Sequence, residues 1–119
     1  MIKKYYFFLI VIISLISCEK YTIEPVGLDL SKVIYFSTDI QPIFNKNCVT
    51  CHNESRNPNL TEGKAYESLL NGGFISTDTS LAESTAIYKV LNGGSHDSRA
   101  TPLEKQMITI WLKQGAKNN

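Results

Sequence analysis

The residues best equipped for chemistry stand together at Cys48-Val49-Thr50-Cys51-His52. Two thiols and an imidazole at this spacing share one turn of chain. Three chemistries use such a set. A reactive dithiol uses the two sulfurs for exchange and is expected in a βαβ setting. A zinc site uses sulfur and imidazole together but needs further ligands. Covalent haem attachment turns both thiols into thioethers on the two vinyl groups, and the adjacent imidazole reaches the iron. No βαβ pattern surrounds the motif. The only other histidine is His96, and the one further cysteine, Cys18, has a different use. Haem attachment through Cys48, Cys51 and His52 is therefore the reading carried forward.

Cys18 ends an address. Met1-Ile2-Lys3-Lys4 is a short positive stretch, and residues 5–16 form an apolar run. That run falls short of the ~20 residues a spanning helix needs and fits the hydrophobic region of an export signal. Leu15-Ile16-Ser17-Cys18 follows directly and resembles the lipobox of bacterial lipoproteins, cut before the cysteine after lipid transfer. The resemblance implies removal of residues 1–17, lipid on Cys18, and a tether over 18–34 that contains Pro25 and Gly27. Two or three acyl chains would hold the protein at a membrane of the bacterial cell envelope, on an exported face. The whole chain carries 12 basic and 11 acidic residues. Loss of Lys3 and Lys4 leaves 10 against 11, with no basic tract to suggest nucleic acid.

The elements that must position the motif read as helices. One is expected from 37 or 38 to 45, capped by Ser37 or Thr38, with Asp39 in its first turn, Pro42 early, and Ile40, Ile43 and Phe44 on one face. Residues 53–59 read as a polar loop containing Pro58. A second helix is expected over 61–71 and a third from 84 to 91. Asn71-Gly72-Gly73 and Asn92-Gly93-Gly94 supply their stops. The last runs from 101 or 102 to about 115. Thr101 is its N-cap, Pro102 its first residue and Glu104 the partner in a capping box, with Met107, Ile108, Trp111, Leu112 and Gly115 on one stripe. No segment alternates at period two, so the expected class is all-α, one small domain over 35–119. A domain this small is marginal on its own core, and a covalently tied apolar plate would act as a staple.

Ile40-Gln41-Pro42-Ile43-Phe44 leading into the haem motif, with the closing Ile110-Trp111-Leu112-Lys113-Gln114-Gly115-Ala116, resembles the class I c-type cytochromes. The likeness spans roughly 35–116. It implies that the first and last helices cross, with Phe44 against Trp111. It also implies a role for Asn57-Pro58-Asn59-Leu60, which stands where the family carries Gly-Pro-x-Leu. There the Pro58 carbonyl would accept from the His52 ring N–H and Leu60 would pack on the haem face. Asn57 replaces the family glycine, and asparagine tolerates the same left-handed backbone.

The family usually supplies a methionine as sixth ligand, from the loop before the last helix. Here that loop holds Gly93-Gly94-Ser95-His96-Asp97, with His96 fifteen residues ahead of Trp111. Met107 lies inside the last helix on its packing stripe, where methionine is more often core. His96 is thus the leading sixth ligand, its ring oriented by Asp97 or a backbone carbonyl. Met107 and an open or water-bound iron remain as alternatives. The implied function is electron transfer between redox protein partners by a tethered, single-haem c, bis-histidine cytochrome, not an enzyme. An open-site haem protein with a peroxidase-like or gas-sensing role is the competing reading, and a non-redox zinc module the third.

Overall fold

The computed structural model describes residues 28–29 and 31–119. The expected export signal, Cys18 and most of the expected tether lie outside the described residues. Every regular element among the described residues is helical, with no strand. Four α-helices form in order: α1 (Gln41–Asn47), α2 (Ala65–Asn71), α3 (Ala86–Leu91) and α4 (Pro102–Lys113). None is long and apolar enough to cross a membrane.

The approach to α1 differs from expectation. Phe36–Ile40 forms a π-helical turn, closed by the Gln41 N–H donating to the Phe36 carbonyl. Pro42 supplies the reason. It has no N–H for the Thr38 carbonyl, and its ring would press on that carbonyl in a regular α-turn; a wider turn relieves both. Neither Ser37 nor Thr38 serves as the expected cap. The Phe36 and Ser37 N–H groups donate instead to the Asn119 side-chain and backbone oxygens, at 2.9 and 3.0 Å. Asp39 does act in the first turn, accepting from the Tyr35 N–H at 2.8 Å. Helix α1 then runs directly into the motif, and the Cys48 and Val49 N–H groups both donate to the Phe44 carbonyl.

Helices α2 and α3 are shorter than their apolar patterns suggest. Gly63, with φ +79°, lies in the left-handed region and breaks the backbone before α2, so regular helix starts at Ala65 rather than 61. Its end at Asn71 is followed by Gly73 at φ +71°, the left-handed stop expected there. Ahead of α3, Asp78 accepts from the Ser80 N–H and starts a 3-10 segment, Thr79–Ser84. Extended Thr85 then separates that segment from α3, which begins at Ala86 rather than 84.

Helix α4 carries both halves of its capping box. Thr101 Oγ1 accepts from the Glu104 N–H at 3.2 Å, and a Glu104 carboxylate oxygen accepts from the Thr101 N–H at 2.8 Å. Its Ile108, Ile110, Trp111 and Leu112 are buried. Trp111, fully buried, is paired with Phe36 rather than Phe44; the ring centroids are 5.4 Å apart. Phe36 also meets Phe44 edge-on at 6.2 Å, so it stands as the link between the first and last helices. Phe36, in the π-turn, is buried. Each large apolar side chain buried here contributes roughly 1.5–3 kcal/mol. At the far end of α4, the Gln114 side chain accepts from the Ile34 N–H and donates to the Lys32 carbonyl, fastening the entering chain.

Candidate cofactor site

The motif occupies one tight turn. The Cys51 and His52 N–H groups donate to the Cys48 carbonyl at 3.1 and 2.8 Å, and Cys48 and His52 both line one cavity. Cys48 is half-buried and Cys51 exposed. Burial pushes the Cys48 thiol up to about 11; the Glu104 carboxylate adds to the rise and Arg99 opposes it. A thiol held protonated in this way is the opposite of the activated sulfur of a redox dithiol.

His52 is fixed from below. Its Nδ1 lies 3.2 Å from the Pro58 carbonyl oxygen, and the Leu60 N–H donates to the His52 carbonyl at 2.8 Å. The loop between them is pinned to α1 by Gln41, a buried residue whose Nε2 donates to the Leu60 carbonyl at 3.0 Å and to Asn45 at 2.8 Å. Sequence reasoning did not single out Gln41. A polar residue beside Ile40 in an apolar stretch was its only signal. Asn57 does not adopt the left-handed backbone anticipated for it, since Ala116 is the only non-glycine residue with positive φ among those described. The Asn57–Pro58 peptide bond is cis.

An apolar cavity of about 230 Å³ opens above His52. Phe44, Leu60, Leu69, Phe74, Ile87 and Leu91 form its walls, and Cys48, His52, Pro58 and His96 reach it. Leu60 and Leu69 are buried behind it. Met107 is half-buried against the core from α4 and does not line this cavity.

His96 faces His52 across this space, with ring centroids 6.0 Å apart and planes inclined by 47°. A metal held at about 2.0 Å from each of two facing imidazole nitrogens separates the ring centroids by roughly this distance. On both rings Nδ1 is engaged, on His52 by Pro58 and on His96 by the Ser95 hydroxyl at 2.8 Å, so Nε2 is the available nitrogen of each. Asp97, anticipated as the orienting group, is used otherwise: it accepts from the Gly93 N–H at 3.0 Å and pairs with Lys105 at 2.6 Å. One more backbone bond sets the loop, from the His96 N–H to the Val90 carbonyl at 2.9 Å. The residues present fit a flat apolar group with a central metal: the Cys48 thiol at the rim with Cys51 exposed beside it in the same turn, apolar walls, and two facing imidazoles. No three His, Cys, Asp or Glu side chains converge among the described residues, so the thiols and imidazoles do not meet as a tetrahedral cluster.

Comparison of the chain with protein-family models, with curated proteins and with solved structures finds no match. The reading of the site rests on its own residues.

Proposed function

We propose that this chain is a c-type cytochrome that carries single electrons, with one haem bound through Cys48 and Cys51 and ligated by His52 and His96. The observation that carries this reading is the facing pair of imidazoles, 6.0 Å apart across an apolar cavity with Cys48 at its rim. When bound, haem supplies a one-electron iron couple, and two histidines place it at lower potential than a histidine and a methionine would.

The chain's own residues do the rest. Cys48 and Cys51 hold the group in register. The Pro58 carbonyl accepts a hydrogen bond from the Nδ1–H of His52, which fixes the ring plane and raises the basicity of Nε2. Phe44, Leu60, Leu69 and Phe74 keep water from the faces of the group. The exposed side at Cys51 leaves one edge near the surface, where a redox protein partner could approach. The lipid expected on Cys18 would keep this carrier at the envelope membrane, within reach of neighbouring redox proteins.

The test is expression with an export and haem-attachment system, followed by denaturing electrophoresis and haem staining. Wild type should retain haem through denaturation and give the pyridine haemochrome spectrum of a doubly thioether-linked group. The double variant Cys48→Ala/Cys51→Ala should lose both. A folded wild type that matures without haem would overturn the proposal.

A further inference from the structure

The two facing histidines are held by unequal means. His52 turns its Nδ1 to a backbone carbonyl, which is fixed in place by the chain around Pro58. His96 turns its Nδ1 to the hydroxyl of its own neighbour, Ser95, which is exposed and free to rotate. Everything else in that loop sets backbone only. The His96 N–H is bound to the Val90 carbonyl, and Asp97 ties Gly93 to Lys105. Gly94 lies so close to α3 that an added Cβ would fall 2.5 Å from the Val90 Cα. These contacts bring the His96 Cα to the cavity, but they leave the ring free to turn. Among the described groups only Ser95 addresses the ring's inner nitrogen.

We infer that Ser95 is a positioning residue for His96: its hydroxyl oxygen accepts a hydrogen bond from the Nδ1–H, and so aims the Nε2 lone pair of His96 at the position His52 faces. This deepens, and rests on, the reading of His52 and His96 as ligands of one haem iron. A metal ligand nitrogen must be unprotonated, so the ring proton has to sit on Nδ1 and needs an acceptor there. Ser95 is that acceptor. Because a rotating, solvated hydroxyl holds a ring less firmly than a backbone carbonyl, His96 is the weaker of the two ligands. A small external ligand such as carbon monoxide, cyanide or imidazole therefore enters on the His96 face.

The test uses the full-length, exported holoprotein as wild type, Ser95→Ala and Ser95→Thr. The electron paramagnetic resonance g values of the ferric form report ring orientation, and cyanide titration reports how readily His96 yields. Ser95→Ala should shift and broaden the low-spin g values and tighten cyanide binding roughly tenfold. Ser95→Thr, which keeps the hydroxyl, should restore both. A bis-histidine wild type whose Ser95→Ala variant has the same g values and cyanide affinity overturns the role of Ser95 and leaves the cytochrome reading standing. A change that threonine fails to reverse overturns it as well. A high-spin ferric wild type removes the ligand pair itself, and with it both readings.

Discussion

Glu104 joins the start of α4 to the end of α1, and its removal gives a pH-dependent loss of stability that can be worked out beforehand. One carboxylate oxygen accepts from the Thr101 N–H and the Asn47 side chain, at 2.8 and 3.1 Å; the other pairs with Lys46 at 2.9 Å. Burial alone would raise this carboxyl. The Thr101 N–H, Lys46, the Thr101 hydroxyl and Asn47 together outweigh burial and hold it at about 2, below its ordinary 4.5. A folded-state value below the unfolded one stabilises fully above about pH 5, and the contribution drains away as the pH falls from about 4.5 toward 2. At about 1.36 kcal/mol per unit the ceiling is roughly 3.4 kcal/mol. Lys46 is largely exposed, so its share is screened, and about 1–2 kcal/mol is the realistic figure. Glu104→Gln keeps an acceptor for the Thr101 N–H and removes the charge together with the oxygen that faces Lys46. Urea unfolding of both proteins from pH 7 down to pH 2.5 should show a gap of about 1–2 kcal/mol that narrows steadily below about pH 4.5. A gap that stays constant across this range, or no gap at pH 7, would refute the reasoning.

Gly94→Ala would drive a methyl group into the Lys89 carbonyl and the Val90 backbone. It should cost about 1–3 kcal/mol in thermal unfolding and give a partly high-spin ferric spectrum, because lifting the loop withdraws His96. Met107→Leu fills nearly the same volume on the half-buried side of α4, so calorimetry should show a change under about 1.5 kcal/mol with an unaltered absorption spectrum. Cys18→Ala should abolish incorporation of labelled fatty acid and release the protein from membranes; equal labelling of the two would count against the lipid anchor.

The parts of this fold legible from sequence are those decided within a few residues. Thr101, Pro102 and Glu104 form their capping box because each needs only its helix neighbours. Gly73 and Gly93 stop α2 and α3 because glycine takes positive φ without strain. What was not legible depends on distant partners. Ser37 looks like a cap, but its hydroxyl donates to the distant Asn119 carbonyl, and the Asp39 and Ile40 N–H groups go to the Tyr35 carbonyl. Pro42 stands in the first turn of α1, as its missing N–H predicts, but the π-turn ahead of it, whose Phe36 packs against both Phe44 and Trp111, was not legible. At the site, the contact between His52 and Pro58 was legible only through the cytochrome resemblance of residues 57–60. The choice of Ser95 over Asp97 for His96 was hidden, because it depends on Lys105 and Gly93 claiming the aspartate first.

The most direct test of the central claim is the absorption spectrum of the exported, lipidated protein in both oxidation states, with carbon monoxide added to the ferrous form. A haem held between His52 and His96 should be low-spin in both states, lack the near-infrared band of a sulfur ligand, and bind carbon monoxide poorly until His96→Ala opens its face. A high-spin ferric spectrum with ready carbon monoxide binding in the wild type would contradict the account, as would a sulfur-to-iron band that disappears in Met107→Leu.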